Sequence, residues 1–150
     1  MYNFTLDNGF SINLQKSSNV FTPTGTSKVL VEAIIENINT KKKTLDLGCG
    51  CGAIGLSLFK HNLVKEPLYA SDLSAEAIND FLKNSEQHNC KSVTKKGHIL
   101  NSWNGYKFEL IVSDVSAISE DVAKFSIWFN KTSCNTGIGG EKLVKEVFDN

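Results

Sequence analysis

The stretch TLDLGCGCGAIGLSLF, from Thr44 to Phe59, contains an apolar run, a glycine-rich loop and a second apolar run. Read from Gly48, its glycines form G-x-G-x-G. Read from Gly50, they form G-x-G-x-x-G, the pattern typical of dinucleotide-binding loops. Glycine lets a backbone turn sharply and lets a ligand approach it closely. The stretch therefore predicts a buried strand, a nucleotide-binding loop and a helix, and its two glycine patterns leave two cofactor classes open.

The flanking sequence predicts further strands and helices on both sides of this loop. Upstream, alternating apolar residues around Asp7-Asn8-Gly9 predict a β-hairpin, and a helix capped by Thr26 or Ser27 follows it. Downstream, the sequence predicts a helix from Ala53 to about Lys60, a strand ending at Asp72, a long helix capped by Ser74 and a weak strand around Val93. A strand over Phe108–Ser113, a helix after Ser119 and a last helix in EKLVKEVF follow.

Strands that alternate with helices predict an α/β fold with a doubly wound, mainly parallel sheet. We divide the chain into an N-terminal hairpin and helix, 1–40, and a Rossmann-like core, 41–150, within one compact domain. A chain of 150 residues, with 41% apolar and 21% charged residues, is typical of one folded globular domain.

The charge and the cysteine content of the sequence indicate which partners and which cellular compartment to expect. Sixteen basic residues balance sixteen acidic ones, so no overall field indicates a nucleic-acid or membrane partner. No apolar run approaches the ~18 residues of a membrane span. The four cysteines match no zinc spacing and no signal peptide begins the sequence, so we expect reduced thiols in a cytoplasmic protein without a metal site. Cys49 and Cys51 are expected to fill tight space in the loop.

An acidic residue follows the loop at the separation that nucleotide binding requires. Asp72 ends the next predicted strand, twenty residues beyond Gly52. A carboxylate there accepts hydrogen bonds from both ribose hydroxyls, and the ligand would lie across the carboxyl ends of the strands. The alternative role for Asp72 is to cap the helix that begins near Ser74. The loop and Asp72 together predict a ligand that contains adenosine.

Three features favour S-adenosyl-L-methionine over a dinucleotide. Asp46 lies two residues before Gly48, where a carboxylate repels a pyrophosphate but suits a sulfonium with a free ammonium. About forty residues precede the loop, whereas a dinucleotide pattern often opens its domain. The predicted fourth strand ends in Asp114, close to where a methyl group would be delivered. Asp46 has an alternative role, as a structural carboxylate that binds loop amides. The second glycine pattern, which ends at Gly55, is expected to serve close helix packing.

The segments TLDLGCGCGAIGLSL, YASDLSAEAI and FELIVSD resemble the class I S-adenosylmethionine-dependent methyltransferases. The chain looks most similar to the small-domain branch, which includes glutamine methyltransferases of release factors and RNA base N-methyltransferases. The resemblance covers about Val20 to Asn150. It implies a cofactor site in which the methionine part is surrounded by Asp46, Gly48, Cys49, Gly50 and Gly52. The resemblance implies that Asp72 binds the ribose and that the adenine lies near Leu73, His98 and Ile99. It also implies a covering segment that contains Thr22 and Pro23.

The sequence departs from this family at three places. His98 stands where the family often has an acid near the adenine amine. The family's Asn/Asp-Pro-Pro-aromatic motif reads Asp114-Val115-Ser116-Ala117, so only its first residue matches. Asp114, our predicted catalytic residue, can still accept one hydrogen from a methyl-accepting nitrogen or oxygen. The family sheet has seven strands, whereas four are predicted here, so we expect a truncated product, a fragment or a reduced domain.

These observations predict a methyltransferase that acts on a protein, a nucleic acid or a small molecule. Two alternatives stay open. One is a non-catalytic remnant that binds the cofactor or a partner chain, and the other is an NAD-dependent oxidoreductase that uses Gly50, Gly52, Gly55 and Asp72. The fourth strand would be an apolar sheet edge, so self-association through Leu110, Ile111 and Val112 is also expected.

Overall fold

The N-terminal residues form the predicted hairpin. The computed structural model describes residues 1–126, 129, 134 and 136–149. Strands β1 (Tyr2–Thr5) and β2 (Ser11–Leu14) pair antiparallel, with Tyr2 opposite Leu14. Their alternating apolar side chains are buried in the main core together with residues of the helices that flank the glycine loop. The hairpin therefore packs as part of the main body of the domain.

The central sheet has four parallel strands in the order β5-β4-β3-β6. These are β3 (Thr44–Leu47), β4 (Leu68–Asp72), β5 (Ser92–Lys96) and β6 (Leu110–Ser113). All four residues of β3 are buried, as expected for a strand covered on both faces. The chain runs outward from β3 through β4 to β5 and then returns to the other side of β3. The carboxyl end of β3 is therefore the switch point where α/β folds bind ligands.

Helices cover both faces of the sheet, which confirms the doubly wound α/β fold. The described α-helices are α1 (Gly25–Asn37), α2 (Ala53–Lys60), α3 (Ala75–Gln87), α4 (Glu120–Ala123) and α5 (Lys142–Asp149). One face packs against α1, α2, α3 and the hairpin. On the other face, Leu45 and Leu47 pack with Trp103 and with Leu143 and Val147 of α5. None of the described helices is long and apolar enough to cross a membrane.

Several predicted boundaries shift by a few residues. The cap of α1 is Thr24 rather than Thr26 or Ser27, because Ser27 occupies the third helical position and its Oγ accepts a hydrogen bond from the Thr24 amide at 3.1 Å. Strand β6 begins at Leu110 rather than Phe108. The helix predicted after Ser119 is a short one, Glu120–Ala123. A 3-10 turn over Asn101–Trp103 was not predicted.

Structural roles can be assigned to Trp103 and to two histidines, His61 and His88. Trp103 is buried, and its Nε1 donates to Ser71 Oγ at 2.9 Å. His61 and His88 are the C-cap residues of α2 and α3. Trp128, the other tryptophan of the sequence, lies outside the described residues.

The two edges of the central sheet differ in chemistry. In the described part of the chain, β6 pairs with β3 alone, and its Ile111 is 42% exposed. The opposite edge, β5, reads SVTKK, and lysines on an edge strand discourage pairing with another chain. We therefore propose that β6, and not β5, pairs with a second copy of the chain.

Sedimentation tests this proposal. The wild type should sediment as a dimer or larger at micromolar concentration, and Ile111→Lys should shift it towards the monomer, because a charge on the edge opposes strand addition. Val93→Lys places the same charge on β5 and should change nothing. A wild-type monomer across the micromolar range would contradict the proposal.

Candidate functional site

A cavity of about 540 Å³ opens at the carboxyl ends of the parallel strands. Its wall is formed by the glycine loop after β3, the end of β4, the residues after β5 and those after β6, and the segment between β2 and α1 covers it. The volume lies within the range of small-molecule sites. The cavity therefore lies at the edge of the sheet where the sequence predicts a ligand.

The backbone of the glycine loop has positive φ angles, which residues with a side chain rarely adopt. Gly48, Gly50 and Gly52 have φ angles of 74°, 51° and 88°, in the left-handed region. The Gly52 amide donates to the Cys49 carbonyl at 2.7 Å, and the Gly48 and Cys49 amides both donate to the Ser71 carbonyl of β4. The first glycine pattern, G-x-G-x-G, is therefore the one that makes the turn.

Gly55, the last glycine of the second pattern, allows close packing instead. A Cβ at this position would lie 2.6 Å from Asp46 Oδ2 and 3.1 Å from Leu68 Cδ2. The Gly55 amide donates to Asp46 Oδ2 at 2.9 Å. The expected role of this glycine in helix packing is thus confirmed, because α2 rests directly on β3 and β4.

Asp46 is sealed beneath the loop, with 1% of its surface exposed. Burial raises the pKa of its carboxyl to about 7; the bond from Gly55 opposes this rise, and the negative charges of Asp72 and Asp114 add to it. Its contact with the Gly55 amide is the structural role that the sequence left open. Asp46, Gly52 and Thr22 are not among the described residues that line the cavity.

Asp72 is fixed at the cavity wall by two backbone amides. Its Oδ2 accepts from Gly50 at 2.9 Å and its Oδ1 accepts from Ser74 at 2.8 Å. The cap of α3 is Ser74, whose Oγ accepts from Ala77 at 3.3 Å, so Asp72 is not the helix cap. Each carboxylate oxygen has a second lone pair, so both oxygens can still accept from ligand hydroxyls.

Asp114, directly after β6, also lines the cavity. Its Oδ2 accepts from Ser27 Oγ at 2.5 Å and from Thr26 Oγ1 at 3.3 Å. Ser27 is buried, so the first turn of α1 fixes the orientation of this carboxylate. The sequence indicated a capping role for Ser27 and carried no signal for this contact, because 87 residues separate the two side chains.

The segment that covers the cavity is fastened to α3 by buried polar side chains. Asn84 is fully buried, donates to the carbonyls of Gln15 and Cys51, and accepts from the Gln15 amide. Asp80 accepts from the amide and the hydroxyl of Ser17 at 2.6 and 2.9 Å. These bonds explain why two polar residues occupy the inner side of α3, and they hold the start of the covering segment over the glycine loop.

The cavity brings most of the predicted site residues together. Those that line it are Gly48, Cys49, Gly50, Asp72, Leu73, His98, Ile99, Pro23 and Asp114. The sequence did not assign several apolar and polar neighbours in the wall, among them Val20, Phe21, Ser71, Glu76 and Leu143. His98, for which the sequence offered no partner, has its Nε2 2.7 Å from Glu146 Oε2 of α5.

The cavity is lined by acidic side chains and has buried thiols beside it. Among the described residues that line the cavity, Asp72, Glu76 and Asp114 carry carboxylates and none is Lys or Arg. Cys49 and Cys51 are buried, and burial raises the pKa of Cys51 to about 12, so its thiol stays protonated near neutral pH. No group of three or more His, Cys, Asp or Glu residues suited to a metal occurs among the residues described.

A switch-point cavity beside a glycine loop and an acidic strand end defines the class of Rossmann-like, nucleotide-cofactor-binding domains. A family model described as "Methyltransferase small domain" matches residues 11–115, and the chain belongs to this family. This membership agrees with the resemblance seen in the sequence, and the matched region includes the glycine loop, Asp72 and Asp114.

Individual relatives agree with this family. The chain is 35% identical over 119 residues to the release factor glutamine methyltransferase of Clostridium acetobutylicum, covering 75% of this chain and 41% of the relative. It is 32% identical over 113 residues to the Streptococcus pneumoniae protein of the same name, covering 75% and 40%. The chain thus spans about 40% of the length of these curated relatives.

Solved structures share the fold. The 16S rRNA N2 G1207 methyltransferase of T. thermophilus, in complex with AdoMet and guanosine, superposes with a TM-score of 0.65 at 19% identity. The match covers 75% of this chain and 31% of that one. At this identity the likeness supports the Rossmann-like methyltransferase fold and nothing finer.

We expect Asp46→Asn to stabilise the fold increasingly as the pH rises. Burial raises the folded-state pKa of Asp46 to about 7 from 3.8, so the protonated carboxyl favours the folded chain fully below pH 3.8 and loses this contribution as the pH rises through 7. The slope is about 1.4 kcal/mol per pH unit within this window. Asn keeps an oxygen for the Gly55 amide and does not titrate.

Urea unfolding between pH 5 and pH 7 measures the effect. The free energy of unfolding of Asp46→Asn, relative to the wild type, should rise by about 1.4 kcal/mol per pH unit. Asp121→Asn is the control, because Asp121 is exposed, its bond from Lys124 lowers its pKa, and it is already ionised at pH 5. Parallel pH profiles for the wild type and Asp46→Asn would contradict the assignment.

Proposed function

We propose that this domain binds S-adenosyl-L-methionine and transfers its methyl group to a nitrogen or oxygen of an acceptor molecule. The observation that carries the proposal is Asp72, held by the amides of Gly50 and Ser74 at the wall of an acidic switch-point cavity. When bound, the cofactor supplies an activated methyl group on a sulfonium, so the protein's task is to orient the acceptor and to exclude water.

The residues present fit this cofactor. The turn from Gly48 to Gly50 offers a close backbone approach for the methionine part, and the two oxygens of Asp72 suit the two ribose hydroxyls. Leu73, His98 and Ile99 line the part of the cavity that we assign to the adenine. Pro23 contributes to the cover, and Thr22 precedes it in the same segment.

The charge of the cavity supports this cofactor over NAD. A pyrophosphate would meet three carboxylates and no Lys or Arg among the described lining residues, whereas a sulfonium and an ammonium are attracted by the same carboxylates. The family to which the chain belongs supports the same choice. We therefore give the oxidoreductase alternative no further weight.

Asp114 is the residue that we propose to orient the acceptor. It lines the cavity with Val115 and Ser116, and its Oδ2 is held by Ser27 and Thr26. Its Oδ1 can accept a hydrogen from an amino or hydroxyl group, which leaves the lone pair of that group for attack. We propose that the acceptor is a protein, an RNA or a small molecule. The curated relatives are named as methyltransferases of a release factor, and a protein of similar fold is named as a methyltransferase of rRNA.

A second candidate is a cofactor-binding domain without turnover. It is favoured by the segment Val115-Ser116-Ala117, which lacks the prolines and the aromatic side chain of the N-methylating relatives. We also propose a cytoplasmic location, because all four cysteines are free thiols, as expected in a reducing compartment.

Titration calorimetry with S-adenosylhomocysteine tests cofactor binding. The wild type should bind it with micromolar affinity and should show no binding of NAD. Asp72→Asn keeps the size of the side chain but loses its charge and half of its acceptors, so affinity should fall roughly 10- to 100-fold. Asp121→Asn, at an exposed residue that is not among the described residues lining the cavity, should bind like the wild type. Unchanged affinity in Asp72→Asn would refute the assigned role.

Labelled methyl transfer to fractions of a cell lysate tests turnover. The wild type should label at least one fraction, and Asp114→Ala should lose this labelling while it keeps its affinity for S-adenosylhomocysteine, because Asp114 is assigned to the acceptor. Cofactor binding by the wild type without labelling of any fraction would support the second candidate instead.

A further inference from the structure

Four aromatic side chains form a cluster on the sheet face that α5 also covers, which we call the second face. They are Tyr69 of β4, Trp103 of the 3-10 turn, and Tyr106 and Phe108 of the segment before β6. Each ring contacts the other three, with ring centroids between 5.2 and 6.1 Å apart. Trp103 is buried, whereas Tyr106 is 43% exposed, so the cluster presents an aromatic ring to solvent.

Two lysine ammoniums lie against these rings. Lys95 Nζ is 4.6 Å from the ring centroid of Trp103 and 4.3 Å from that of Tyr106, and it donates to the Ser102 carbonyl at 2.9 Å. Lys43 Nζ is 5.7 Å from the Tyr106 centroid and 5.3 Å from two other rings of the cluster. Both ammoniums are thus attracted to the same exposed ring, and two like charges are held close together.

Neither ammonium has a carboxylate partner in the part of the chain that the structure describes. The cations of the ion pairs found there are His98, Lys124 and Lys145. Glu109 lies beside Lys43, but its Oε2 accepts from the Lys43 backbone amide, at 2.9 Å. Lys107 is exposed directly after Tyr106 and adds a third positive charge. The surface formed by Lys43, Lys95, Tyr106 and Lys107, here the aromatic–lysine surface, therefore carries positive charge that the protein does not compensate.

The charge and the exposed ring define the chemistry of a partner. An apolar partner would cover the ammoniums without compensating them, which is unfavourable. A phosphate would reduce their mutual repulsion, and the base attached to it has a flat face that can stack on Tyr106. An acidic peptide supplies the charge without a base to stack. Unpaired bases are a regular feature of RNA loops, which proteins recognise by aromatic stacking.

We propose that the aromatic–lysine surface binds single-stranded RNA. The three lysines contact phosphates, Tyr106 stacks on a base, and the other rings of the cluster hold Tyr106 in place. The equal numbers of basic and acidic residues in the sequence do not reveal this surface, because the fold brings its lysines together. None of its four residues is among the described residues that line the cavity. The inference therefore does not rest on the proposed methyl transfer.

Fluorescence anisotropy of a labelled, unstructured RNA of about 12 nucleotides measures this binding, because single-strand sites have this length. The wild type should bind at micromolar concentration in low salt, and three phosphate contacts should give a slope of about −2 in log K against log salt. Lys43→Gln and Lys95→Gln should each weaken binding and make this slope shallower by about 0.7, because each removes one phosphate contact.

Tyr106 variants test the stacking contact. Tyr106→Ala should weaken binding roughly 10-fold and leave the salt slope unchanged, because the ring carries no charge. Tyr106→Phe keeps the ring and should bind like the wild type. Lys83→Gln is the matched control, because Lys83 is exposed on α3, which packs on the opposite face of the sheet, and it should change neither affinity nor slope. Urea unfolding checks each variant, and the lysine variants decide the question if Tyr106→Ala does not fold.

Three results would overturn the inference. They are a wild type that does not bind the RNA, unchanged affinity and slope in both Lys43→Gln and Lys95→Gln, and binding of polyglutamate as tight as that of the RNA. Tighter binding of a DNA strand of the same sequence would overturn the choice of RNA. No cofactor enters these measurements, so a negative result leaves the proposed function standing, and failure to bind S-adenosylhomocysteine leaves this inference standing.

Discussion

The two hydrogen bonds of Asp72 join the parts of the chain on which the cavity depends. One links the end of β4 to the glycine loop after β3, and the other links it to the first residue before α3. The Ser71 carbonyl, one residue earlier, accepts both the Gly48 and the Cys49 amides. The loop, the strand end and the start of the helix are thereby held as one unit. The loop can make its turn because its glycines adopt left-handed φ angles. A ligand that meets Asp72 meets a group whose orientation is already set.

Segments that are distant in sequence form the rest of the cavity wall. Asp80 and Asn84 of α3 hold the start of the covering segment, and the first turn of α1 holds Asp114. Helix α5 closes the far side through apolar contacts and through Glu146. The N-terminal residues thus contribute to the cavity together with the Rossmann-like core.

Features that arise from neighbouring residues were predictable from the sequence. The glycine loop, the strand ending at Asp72 and the cap at Ser74 each depend on local backbone geometry, and the structure has all three. The contacts of Asp114 with Ser27 and of His98 with Glu146 join residues 87 and 48 positions apart, so no local pattern reveals them. The cap of α1 was misplaced because Thr24, Thr26 and Ser27 lie within four residues of one another and have similar capping preferences. The contact with Asp114 favours an inner position for Ser27. Asp46 was ambiguous because its carboxylate could face either the loop or the ligand, and only the packing of Gly55 decides between them.

Helix α5 has a thermodynamic consequence. Its Leu143 belongs both to the cavity wall and to the apolar cluster on the second face of the sheet. A ligand that contacts this wall binds the docked helix better than an undocked one, so occupancy and docking are linked reciprocally. Part of the free energy of ligand binding therefore stabilises the docked terminal helix, and hydrogen exchange along α5 would slow further as the ligand concentration rises above its dissociation constant.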